Sequence, residues 1–195
     1  MHVEGLIFFA QNYNPVIVGA HLFGVVLGFG AALIGDILFF KFLKDSKIEE
    51  KEVDVLKTMS KIVWTGLFII VISGVFLFLS DVERYSQSSK FLVKMIVVGI
   101  IILNGGVLNL AVAPKLTSIN FSEPRGSGIR SLAFACGAIS VTSWWTAFIL
   151  GLMHMSPAPF HVLLSIYLFI LAGAILISQI LERLISTHKI NPPVV

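Results

Sequence analysis

Residues 15–42 read PVIVGAHLFGVVLGFGAALIGDILFFKF, and this stretch decides the fold class. Between Val16 and Phe40 the only formally charged side chain is Asp36. Crossing a hydrocarbon core of about 30 Å takes roughly 20 helical residues, so the run is long enough to span a bilayer. Asn14 and Pro15 in front of it match an N-cap followed by the first helical position. Four further apolar runs follow, at about 62–80, 91–113, 131–153 and 160–181. Pro114 stops the third, and Ser156-Pro157-Ala158-Pro159 separates the fourth from the fifth. The chain is therefore expected to be all-α, a polytopic membrane protein forming a five-transmembrane-helix bundle in a single membrane domain, 1–195. Barrel strands would be about ten residues long and alternating, and no such pattern is visible.

Composition points the same way. Of the 195 residues, 56% are hydrophobic and 13% are charged, whereas soluble domains are roughly a quarter charged. This excludes a disordered chain, a nucleic-acid binder and a secreted disulfide scaffold. A pI near 9.1 does not bring nucleic acid back, because basic residues in a membrane protein report topology. The single cysteine, Cys136, has no intrachain partner and says nothing of redox compartment.

The charges are unevenly placed. Lys41, Lys44, Lys47, Lys51, Lys57 and Lys61 lie between spans one and two. Lys115, Arg125 and Arg130 fall in the next loop on that side, and Arg183 and Lys189 in the tail. Arg84, Lys90 and Lys94 lie at the other side. The positive-inside rule then puts the N-terminus outside and the C-terminus in the cytoplasm. Met1–Asn12 lacks the basic start and cleavage site of a signal peptide and reads as an interfacial segment. The missing targeting peptide points to a prokaryotic plasma (inner) membrane. Within the polar stretch Lys44–Lys61, Ser46 and Glu49 form a capping-box pattern. Val53, Leu56, Met59 and Val63 follow at helical spacing, so the second helix is expected to extend beyond the membrane.

That orientation makes the histidines informative. His2, His21, His154 and His161 all fall on the outer side, and only His188 is cytoplasmic. Lys94 lies a few residues into span three, at a depth similar to that of His21. Ionisable groups inside a span are costly and mark functional sites. His21, Lys94, His154 and His161 are therefore expected to meet in one outer-leaflet layer as cofactor-binding residues. At about 100° per residue, Gly24, Gly28, Ala32 and Gly35 share the stripe of His21. Such a groove lets a flat cofactor lie against the backbone, and it is equally the pattern of small-xxx-small helix packing. His154 shares a face with Ala147, Ser143, Ser140 and Cys136, and His161 with Ser165, Leu168, Ala172 and Gln179. The loop carrying Met153, His154, Met155 and His161 offers thioether and imidazole ligands, which together suit copper.

Deeper in the bundle, Trp144 and Trp145 are placed to pack on a cofactor ring or on neighbouring helices. Asp36 is expected to pair with Lys41 or Lys61, or to relay protons, and Asn104 and Asn109 to bond between helices. There is no GxSxG, no phosphate-binding glycine loop and no pair of broken half-helices, so neither a hydrolase nor an inverted-repeat transporter is indicated.

His21 with its glycine stripe, followed by Lys94-Met95-Ile96-Val97-Val98 opening span three, resembles a superfamily of small membrane haem and copper proteins. It includes the copper-resistance D-type proteins, membrane di-haem cytochromes and the bacterial membrane protoporphyrinogen oxidase. In that oxidase family a histidine early in the first span and a lysine opening a later span are the functional pair, and the resemblance maps them onto His21 and Lys94. It covers spans one to three. The oxidase's Trp-, Tyr- and Arg-containing stretch after the histidine is replaced here by Gly24–Phe40, and the paired histidines of a two-haem cytochrome are absent.

Together these readings imply an integral membrane protein binding one haem b near the outer leaflet, in electron transfer or a redox step. His21 would be one axial ligand and His161 or His154 the other, with Lys94 on a propionate or a substrate. The lipid bilayer, and a redox partner or quinone, would be its partners. Two alternatives stay open. One is a copper-binding or copper-transport protein using Met153, His154, Met155 and His161. The other is a non-catalytic scaffold or small subunit whose glycine stripes mate with partner helices, in a homo-oligomer or a larger membrane complex. Whether the chain is an enzyme is left open.

Overall fold

Glycine sets how closely the first two long helices approach. Residues 3–42, 48–118 and 128–190 are described by a computed structural model, the side chains of 3, 117, 118 and 185–190 excepted. Their elements are α1 (Val3–Asn12), α2 (Asn14–Phe42), α3 (Glu50–Ser80), α4 (Val82–Ser86), α5 (Ser89–Val107), α6 (Gly128–Leu152) and α7 (Phe160–Ile190). No strand occurs among the described residues. Five helices, α2, α3, α5 with its continuation, α6 and α7, are long and apolar enough to cross a membrane. The five-span, all-helical expectation is met. His2, Lys44, Ser46, Lys47 and Arg125 lie outside the described residues, as do the side chains of His188 and Lys189.

Gly24 and Gly28 of α2, one turn apart, face Gly66 of α3. A Cβ on Gly66 would lie 2.4 Å from the Gly28 backbone nitrogen and 2.8 Å from the Gly24 carbonyl oxygen. The two backbones are therefore in direct contact. In lipid, where apolar burial gives helices no preference for one another, such close packing is what holds them together. The junction of α1 and α2 is nearly continuous. Tyr13 N–H donates to Phe9 C=O and Ile17 N–H to Tyr13 C=O, with Pro15, which has no N–H to give, marking the break. Asn14 does not act as the expected cap. Its Nδ2 donates to Ser80 Oγ at 3.1 Å, and Gln11 Nε2 donates to Ser80 C=O at 3.3 Å, pinning the start of α2 to the end of α3.

As expected, α3 begins well before its apolar run, but its cap is Glu49. The Glu49 N–H donates to Glu52 Oε2 at 2.9 Å, closing a capping box in the first turn. The third span does not stop sharply at Pro114. It is α-helical to Val107, widens to a π turn over Leu108–Val112 and tightens to a 3-10 helix over Ala113–Ser118. Proline removes one N–H and its ring collides with the carbonyl four residues back, so the regular ladder cannot run through it.

Two apolar clusters hold the helices together. One gathers Phe29, Leu67, Val97, Trp144 and Tyr167; the other, at the lysine-rich end, gathers Val53, Val112, Ala133 and Phe134. Trp144 sits directly over Gly28, where a Cβ would lie 2.7 Å from the indole, and stacks on Phe29 at 6.0 Å. Of the two roles open to it, it takes helix packing. The asparagines bond between helices as expected: Asn104 Nδ2 donates to Cys136 C=O at 3.0 Å, and Ser60 Oγ donates to Asn109 Oδ1 at 2.8 Å. Asn104→Leu is expected to lower the unfolding free energy in mixed micelles by about 1 kcal/mol, the usual size of such a bond in a bundle. A detergent titration of helicity measures it.

Arg130 departs from expectation. It is no loop charge but lies in the first turn of α6, 3% exposed, ion-paired with Glu182 of α7 at 5%.

Candidate functional site

His21 is half-buried on α2, with Nδ1 2.9 Å from Ser73 Oγ on α3. Ser73 spends its single proton on its own helix, donating to Ile69 C=O at 2.5 Å. With that proton committed, Ser73 Oγ accepts from the histidine in the tautomer protonated at Nδ1, the form in which Nε2 carries the lone pair. Ser73 and the adjacent Gly74 make room for this. A Cβ on Gly74 would stand 3.7 Å from the His21 ring, so the next turn of α3 presents no bulk to it.

Beside His21 lies an open-sided cavity of about 710 Å³, lined by α2, α3, α4, α5 and the end of α6. Small-molecule sites typically measure about 300–1,000 Å³. Val71, Val75, Phe78, Phe91, Met95 and Val98 give it apolar walls, and Arg84, Lys90, Lys94 and His154 line it as well. His21 on α2, Lys94 on α5 and the exposed His154, two residues past the end of α6, placed at one depth by the sequence, thus line one cavity. Every charged residue on its lining is basic. Gly151 leaves the gap in α6 into which Lys94 reaches, since a Cβ there would lie 3.7 Å from Nζ. Among the described residues no carboxylate pairs with that ammonium.

Lys90 has a structural task besides. Its ammonium donates to Met153 C=O and to His154 C=O, and its N–H donates to Ser156 Oγ at 2.8 Å. The cation therefore sits just beyond the C-terminal end of α6, where the helix dipole favours it. It also fixes the backbone that carries His154. Arg84 and Lys90 are cavity residues that the sequence offered only as topology markers. Ser73, which orients His21, gave no signal beyond being a small polar residue inside a span.

Other expected members of the site lie elsewhere. His161 is exposed and does not line the cavity. The face that α7 turns inward carries Tyr167, Ser178 and Glu182, and the stripe of His161, Ser165 and Leu168 looks outward. Gly24 and Gly28 do not form a groove for a flat cofactor, because Gly66, Ile69 and Trp144 occupy the space over them. Met153 packs against the core, Met155 is 82% exposed, and neither lines the cavity. Among the described residues no three of His, Cys, Asp and Glu gather as a metal-binding group. Asp36 forms no ion pair with Lys41 or Lys61; its Oδ2 is buried without a partner at the other end of the bundle.

No family model, curated protein or solved structure matches this chain.

Proposed function

We propose that this multi-pass membrane protein binds one haem b in the cavity beside His21 and serves electron transfer or a redox step. The observation that carries this reading is a cavity with apolar walls, exclusively basic charges and an imidazole tied through Nδ1 to Ser73. An amphipathic, doubly acidic macrocycle complements all three features. His21 would be one ligand to the haem iron, held in orientation by Ser73 as metal-binding histidines are by a partner on the other ring nitrogen. His154 lines the same cavity and would be the second; Lys94 and Arg84 would pair with the propionates. Haem supplies one-electron chemistry when bound, and the chain contributes ligand identity, burial and hydrogen bonding, which set the potential. In this proposal the N-terminus is outside, a reading supported by the bias of basic residues towards the ends formed by Lys41–Lys61 and the C-terminal tail. The cavity then opens at the outer leaflet of a prokaryotic plasma membrane, where a redox partner or quinone would exchange electrons.

Titration of the purified protein with hemin tests this. A Soret band saturating at one haem per chain is expected, lost in His21→Ala and retained in His161→Ala. Lys94→Gln is expected to weaken haem binding by about tenfold, the size of one charge-assisted contact. No saturable band, or a His21→Ala protein that titrates like the parent, would sink the proposal. Stoichiometric copper that depends on Met155 would replace it with the metal-handling alternative.

A further inference from the structure

At the opposite end of the bundle, α2, α3, α5 and α6 surround a second cavity, about 160 Å³ in volume. It shares no lining residue with the cavity beside His21. An apolar cavity of roughly 150 Å³ takes a molecule the size of benzene. The walls here are mostly hydrocarbon, with the indoles of Trp64 and Trp144 among them. Asp36 is the only acidic residue on the lining. Ser140 of α6 hydrogen-bonds its carboxyl group, yet Oδ2 is fully buried and has no partner.

The neighbouring polar groups do not satisfy that oxygen. Asn104 commits its amide to Cys136 C=O, and Asn109 uses its oxygen to accept from Ser60. Lys57 lines the same cavity from its exposed edge but makes no ion pair with Asp36. A carboxyl oxygen out of water with no partner is costly, and a charged donor is the partner that would satisfy it best. Indole faces attract cations as well.

We propose that this cavity binds a small apolar molecule carrying a protonated amine. The ammonium donates to Asp36 Oδ2, and Trp64 and Trp144 enclose the apolar body. Lys57 is then a competitor for the same carboxylate, not part of the binding set. The site is independent of the haem reading.

Benzylamine matches the volume and the charge, and benzyl alcohol is its neutral counterpart. Titrations of the full chain in lipid nanodiscs, against empty nanodiscs, are read by calorimetry and tryptophan fluorescence. One benzylamine per chain is expected, with benzyl alcohol at least about tenfold weaker. Asp36→Asn is expected to lower benzylamine affinity about tenfold or more, and Lys57→Gln to leave it unchanged or raise it. Gly137 lines the cavity, and a Cβ there meets nothing within 4 Å. Gly137→Leu therefore fills the space while sparing Asp36, and it should abolish binding with helicity intact, which decides the matter even if Asp36→Asn fails to fold. The proposal is overturned by no benzylamine binding, by equal affinity for the alcohol, by loss of binding in Lys57→Gln, or by binding that survives Gly137→Leu.

Discussion

Gly66→Ala is expected to destabilise the bundle by about 3 kcal/mol, at the upper end of what overpacking by one methyl group costs. The added Cβ would stand 2.4 Å from the Gly28 nitrogen and 2.6 Å from its Cα. Those are backbone atoms, with no rotamer to escape into, so α2 must move away from α3 along its length. Helices in a bilayer gain their association from close packing, and a wider gap here weakens the seam on which the first two spans rely. The same seam carries the His21–Ser73 hydrogen bond, so on the haem proposal affinity for hemin should fall together with stability. Gly30→Ala is the control, since nothing lies within 4 Å of a Cβ at that position; a change within about 0.5 kcal/mol is expected. Unfolding in mixed micelles of rising detergent strength measures both. Equal stability of the two variants would refute the backbone contact.

Depth along the membrane was legible in the sequence, and rotation about the helix axes was not. A bilayer imposes length and apolarity on each span, so span ends, and with them the levels of His21, Lys94 and His154, follow from hydropathy and charge. Which face looks inward is another matter. In α7 both faces are apolar: Phe169 is 82% exposed, while Tyr167 is buried with its hydroxyl 2.9 Å from Ser143 Oγ. That single polar contact, together with Ser178 and Glu182, turns the helix and sends His161 outward; periodicity alone carries too little contrast to show it. The glycines were ambiguous for a different reason. A close approach of backbone to ligand and of backbone to backbone both require a missing Cβ, and only the position of Gly66 separates the two. Lys90 shows the reverse case. Its grip on Met153 and His154 joins residues far apart in the chain, which no local pattern records.

Arg130→Met is expected to cost about 3–5 kcal/mol, because it strands the Glu182 carboxylate inside the protein without its counter-charge. Counting basic residues by neighbourhood assigned Arg130 to a loop on the positive side. Geometry instead puts it between α6 and α7, where the pair is 3% and 5% exposed. Gln179 Nε2 donates to Ser131 C=O at 3.0 Å on the same seam, so both helices are tied at this level and a loosened pair would be felt by its neighbour. Glu182→Leu should also be destabilising, because it removes the carboxylate that faces the buried guanidinium. The double variant Arg130→Met/Glu182→Leu is expected to regain most of the loss, since hydrophobic residues of similar volume replace a buried ion pair at little or no net cost. A double-mutant cycle followed by unfolding in mixed micelles reads out the coupling. If Arg130→Met alone proves neutral, the two charges are in contact with water and headgroups, and Arg130 returns to the topology count. Neither variant removes the charge bias itself, because the other basic residues at that end still outnumber Arg84, Lys90 and Lys94. The charge therefore matters at this position through the partner it neutralises.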